Sequence, residues 1–92
     1  MTRIKLDTSN RFIGMDDQII VTNISGDFLG ILAKINNDYL FNGQDWIVNA
    51  ETKPGERIKS SLIFEDRPKE YCLEKINMLV EKYINRFFEK EE

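Results

Sequence analysis

The chain has 92 residues, with 13 Lys plus Arg against 16 Asp plus Glu, a formal charge of -3 and no histidine. A chain of this length is a single domain, 1–92, because two halves would each fall near the limit at which a core holds itself together. The missing histidine removes the commonest general base and metal ligand. The lone Cys72 leaves neither a disulfide framework nor a Cys-cluster zinc site. The negative balance argues against a duplex-binding surface.

Hydrophobic residues make up 41% and charged residues 32% of the chain, a globular balance rather than a disordered one. Met1 to Asp7 holds no apolar run, so no secretory signal is expected. The longest apolar run, Phe28 to Ala33, is too short to span a bilayer. Together with the free thiol, this places the protein in the cytoplasm as an expectation.

Residues 1–12 form an N-terminal arm or edge strand with a net charge of +2 from Arg3, Lys5 and Arg11 against Asp7. An antiparallel sheet is expected over 18–64. Gln18 to Thr22 is rich in β-branched residues, which fit a pleated surface. Asn23 to Asp27 is a turn cluster around Gly26. Phe28 to Ile35 is apolar on both faces, which predicts a central strand covered on both sides. Asn36-Asn37-Asp38 is a second turn signal. Tyr39 to Phe41 reads as a short strand, Asn42-Gly43 as a hairpin turn, and Asp45 to Val48 as its returning strand. Pro54-Gly55 suits a type II turn, and Arg57 to Phe64 reads as the last strand.

The stretch Val21 to Leu40 resembles small SH3-like or Sm-like barrels in Gly26, Gly30, Leu32 and Asp38. Its spacing departs from the Sm pattern and its helix stands at the opposite end, so no functional residue carries over. The short, acidic, Asn-, Ile- and Lys-rich composition resembles accessory proteins of phages and mobile elements.

A helix is expected over 67–90. Asp66 is the candidate N-cap, with Pro68 and Glu70 in the first turn. Leu73, Ile76, Val80, Tyr83 and Phe87 recur at helical spacing, and Cys72, Leu79, Ile84 and Phe88 widen the stripe. The fold class is therefore α+β: a curled antiparallel meander of four to six strands, an open sheet or a small barrel, packed against one long C-terminal helix.

Chemistry is sparse. Cys72 lies on the apolar stripe with no base to activate it, and reads as a small buried hydrophobe. Ser60 and Ser61 have no base either. The acids match no calcium loop, and the glycines make no phosphate loop. No catalytic residue, cofactor or metal is expected.

What remains is binding. The helix tail, Tyr83, Ile84, Phe87 and Phe88, concentrates large apolar groups that a homodimer or another protein would cover. The turn acids Asp16, Asp17, Asp27, Asp38 and Asp45 are a second candidate surface, facing a basic partner. The expected function is a non-enzymatic protein-binding module that inhibits or regulates a partner by occlusion. The alternative is a small nucleic-acid-binding sheet using Tyr39, Phe41 and Trp46 as a stacking platform.

Overall fold

The structure, a computed structural model, describes residues 2–7 and 18–87. It is α+β. The strands β1 (Ile4–Asp7), β2 (Gln18–Asn23), β3 (Phe28–Ile35) and β4 (Asp38–Gly43) are followed by the short helix α1 (Asp45–Val48). Strand β5 (Leu62–Phe64) and the 19-residue helix α2 (Lys69–Phe87) complete the chain. The five strands form one antiparallel sheet in the order β1-β2-β3-β4-β5. β1 and β5 do not pair, so the sheet is open rather than a barrel.

The turns lie where the Asn- and Gly-rich clusters put them. The β2–β3 turn is closed by the Gly26 amide donating to Asn23 O at 3.0 Å, with Gly26 at φ 94. Asn36 takes the left-handed φ of 57 between β3 and β4, which asparagine accepts at little cost. At Pro54-Gly55 the Glu56 amide donates to Lys53 O at 3.0 Å, and Gly55 sits at φ 91, the conformation that a type II turn needs.

One face of the sheet builds the core. Val21 pairs with Gly30, Gly30 with Gly43, Leu32 with Phe41, and Phe41 with Leu62, so these residues share that face. Val21, Leu32 and Phe41 are fully buried, as are Ile47 of α1 and Cys72 and Ile76 of α2. Leu29 joins them through a bulge: Val21 pairs with Gly30 while Thr22 pairs with Phe28, which leaves Leu29 as the extra residue. Each fully buried aliphatic side chain contributes about 1.5–3 kcal/mol, and the buried residues of α1 and α2 join those of the sheet in one core. The Arg3 amide donates to Asn77 Oδ1 at 2.6 Å and ties the first strand to that helix.

Several expectations are corrected. Asn42 and Gly43 make no hairpin; both lie in β4, opposite Ile31 and Gly30. Glycine serves packing here rather than turn geometry. The Phe41 ring lies across Gly30 and Gly43, and a Cβ added at Gly30 would stand 2.6 Å from Phe41 Cζ. Asp45 to Val48 is a helix rather than a strand, with the Val48 amide donating to Gln44 O at 3.0 Å. That turn drives Ile47 and Val48 into the core.

The last strand is Leu62–Phe64 rather than Arg57 to Phe64, because β4 offers Tyr39 to Phe41 as partners and the chain then turns away into α1. Residues 57–60 are held instead by a side chain. Asn49 Oδ1 accepts from the Lys59 amide at 2.7 Å, and Asn49 Nδ2 donates to Lys59 O at 2.9 Å.

Asp66 is not the N-cap of the long helix. It has a left-handed φ of 55, and the first helical amide bond runs from Cys72 N to Pro68 O at 3.3 Å. The helix expected over 67–90 begins at Lys69 and is described to Phe87; residues 88–90 lie outside the described residues.

Candidate functional site

The second face of the sheet is mostly apolar and, among the described residues, partly exposed. Strand alternation puts Ile20, Ile31, Ala33, Ile35, Leu40 and Ile63 on the side away from α2. Cross-strand pairing joins them: Ala33 stands opposite Leu40 and Leu40 opposite Ile63, while Ile20 stands opposite Ile31. Phe28, brought to the same face beyond the bulge, pairs with Thr22. Phe28 and Ile35 are each 51% exposed and Ile63 is 64% exposed; Ile20, Ile31, Ala33 and Leu40 are half-buried. No described element packs on this side. Of the two covered sides expected for Phe28 to Ile35, the described elements supply one; residues 8–17 lie outside the described residues.

The polar positions within this face, Gln18, Thr22 and Asn42, are uncharged. The charged positions Lys5, Asp7 and Asp38 stand on the edge strand β1 or at the start of β4. The apolar part of the face, from β2 to β5, measures roughly 14 Å across three interstrand gaps and about 17–20 Å along the longer strands. Contiguous apolar surface on that scale marks an interaction site in a folded protein.

The sequence-derived candidates are placed as follows. In the helix tail, Tyr83 stacks on Trp46, with ring centroids 4.2 Å apart and planes at 35°. Ile84 is half-buried and packs against the core. Both residues are thus half-buried by contacts within the chain, Tyr83 against α1 and Ile84 against the core. The backbone of Phe87 lies in α2. Phe88 lies outside the described residues.

The acidic turns do not converge. Asp27, in the β2–β3 turn, and Asp45, beyond the end of β4, lie at one end of the meander; Asp38, the first residue of β4, lies at the other. Asp27 is locked locally, its amide donating to Asn23 Oδ1 at 2.8 Å and its carboxylate accepting from Asn23 Nδ2 at 3.2 Å. Asp38 Oδ1 accepts from the Asp66 amide at 2.9 Å and fastens the entry to α2. Asp16 and Asp17 lie outside the described residues.

Of the expected aromatic platform, the structure removes Phe41. Phe41 is fully buried, and Tyr39 and Trp46 pack partly buried against the same core. Phe41 has no face on which a base could stack.

Cys72 is buried, its thiol donating to Pro68 O at 3.4 Å, and burial pushes its pKa up, away from the reactive thiolate. Among the described residues no three His, Cys, Asp or Glu side chains gather as a metal site. No helix among them is long and apolar enough to cross a membrane.

Sequence reasoning missed the open face because Ile31, Ala33 and Ile35 read as covered. The available signal was the partner pattern: Leu40 and Ile63 break the alternation that a solvent-facing side would keep. No protein-family model, curated protein or solved structure matches the chain.

Proposed function

We propose that the chain is a non-enzymatic protein-binding module whose contact surface is the open sheet face, and that a second copy of the chain is its first occupant. The observation that carries this reading is the continuous apolar row Ala33–Leu40–Ile63, flanked by Ile20, Ile31 and Ile35. Like faces can meet without opposing like charges, because the charged positions stand at the margins. Two such faces pack at the spacing of sheets in a sandwich, about 10 Å. Occlusion of another protein, as a phage or mobile-element accessory protein would do it, is the heterologous version of the same contact. We place it in the cytoplasm, where the buried Cys72 thiol stays reduced.

Sedimentation tests this at about 100 μM, where even a micromolar dimer is almost fully formed. The native chain should run as a dimer. Ile31→Lys combined with Ile63→Lys should run as a monomer with an unchanged far-ultraviolet circular dichroism spectrum. A native chain that is monomeric at that concentration overturns the reading.

A further inference from the structure

We propose that the loop 53–60 is a preorganised recognition segment that docks into an acidic cleft of a protein partner, with Ile58 as its apolar anchor and Arg57 and Lys59 as flanking cations. This goes beyond the sheet-face reading and uses none of its residues.

Three observations converge. Ile58 is 68% exposed, the highest value among the large exposed hydrophobic side chains described, and it sits between two cations. The segment is also held although it belongs to no strand. Asn49, at the end of α1, pairs with both the amide and the carbonyl of Lys59, as a neighbouring strand would, and the Thr52 hydroxyl donates to Asn49 Oδ1 at 2.8 Å. At the other end the Lys53 amide donates to Glu56 Oε1 at 2.9 Å, while the Glu56 amide returns to Lys53 O. An exposed segment fixed at both ends loses little conformational freedom when it binds.

The third observation is charge. Lys53, Arg57 and Lys59 against Glu56 give this loop +2 on a chain of -3. Glu51, just before the loop, is held by Lys75 at 3.0 Å and Lys82 at 3.2 Å. Among the described residues the loop cations make no ion pair. Their complement is therefore acidic. A protein cleft fits better than a nucleic acid, since residues 51–61 hold no aromatic side chain on which a base could stack. A lipid surface needs a larger basic cluster, usually about four to eight Lys or Arg.

The experiment selects binders to the intact chain from a displayed library of short random peptides. The enriched peptides should be rich in Asp and Glu and carry apolar residues. Ile58→Asp should weaken them at least tenfold, as should Arg57→Glu combined with Lys59→Glu, while Ile24→Asp, an exposed apolar control in the β2–β3 turn, leaves them within about twofold. Asn49→Ala should weaken them while leaving the circular dichroism spectrum unchanged. A selection that yields no Ile58-dependent acidic peptide overturns the proposal. So does binding of a single-stranded oligonucleotide or phosphatidylserine vesicles that the charge reversal abolishes and Ile58→Asp leaves intact, because that pattern marks a bare electrostatic patch.

Discussion

Trp46 of α1 and Tyr83 of α2 stack with their ring centroids 4.2 Å apart, so the short helix clamps the far part of the long one. Aromatic pairs of this kind contribute about 0.5–1.5 kcal/mol beyond their buried area. A double-mutant cycle with Trp46→Leu and Tyr83→Leu should return a coupling energy in that range, measured by urea unfolding. A coupling near zero would mean that the rings touch without supporting one another. The cycle is best followed by circular dichroism, because Trp46 is the single tryptophan and its fluorescence is lost in one arm.

Gly30 and Gly43 face each other across β3 and β4 to make room for the Phe41 ring. Gly30→Ala should destabilise the protein by about 3 kcal/mol or more, because the new Cβ would meet the Phe41 ring at 2.6 Å and the backbone at Asn42 O and Gly43 Cα at 2.7 Å. Shrinking the ring should offset part of this, so Gly30→Ala with Phe41→Leu should lose less than the sum of the single changes. Additive losses in denaturant midpoints would refute the packing argument.

Glu51 accepts from the Lys75 and Lys82 ammonium groups, and these hydrogen bonds hold its pKa below the ordinary carboxylate value. A carboxylate whose pKa is lower folded than unfolded adds stability above its unfolded value. That stability is lost as pH falls through the folded value. The side chain is 43% exposed, so each pair is worth less than about 1 kcal/mol. Glu51→Gln should flatten the stability-versus-pH curve below about pH 4.5 by a small margin and reduce its salt dependence. An unchanged acid limb would remove Glu51 from that role.

Asn49 supplies the two bonds that a strand would have supplied to Lys59. Asn49→Ala should cost about 1–2 kcal/mol, typical for two such bonds. More tellingly, it should speed hydrogen exchange at the Lys59 amide and tryptic cleavage after Arg57 and Lys59. Equal cleavage rates in both proteins would show that the loop is held by something else.

Much of the fold was legible because local and tertiary signals agreed. Ile19 to Thr22 is β-branched and forms β2; Phe28 to Ile35 lies between two turn clusters and forms β3 with those limits. The recurrence of Ile76, Leu79, Val80 and Tyr83 reads directly as α2. The errors arose where a residue type serves two physical ends. Gly43 carries the signature of a turn but supplies space beneath Phe41. Trp46, Ile47 and Val48 have strong β propensity, yet burial of Ile47 and Val48 favours the helical turn. Ile58 alternates with Arg57 and Lys59 like a strand, but no strand residue remains beside it. The open sheet face was illegible for another reason: apolar residues on both sides of β3 say that both faces want cover, not whether the same chain provides it.

The strict neighbour order of the strands also governs how the molecule is made. Each strand pairs with the strand that precedes it in the chain, β2–β3 and β3–β4 through tight turns, so the sheet can assemble step by step. Its seal comes last. Val21, Leu32 and Phe41 stay wet on that side until Cys72, Ile76, Leu79 and Val80 have been made and pack with them. Until then the nascent chain shows water two greasy sides of one sheet, and a premature stop before Cys72 yields a fragment bound for chaperones or proteases rather than a smaller working protein.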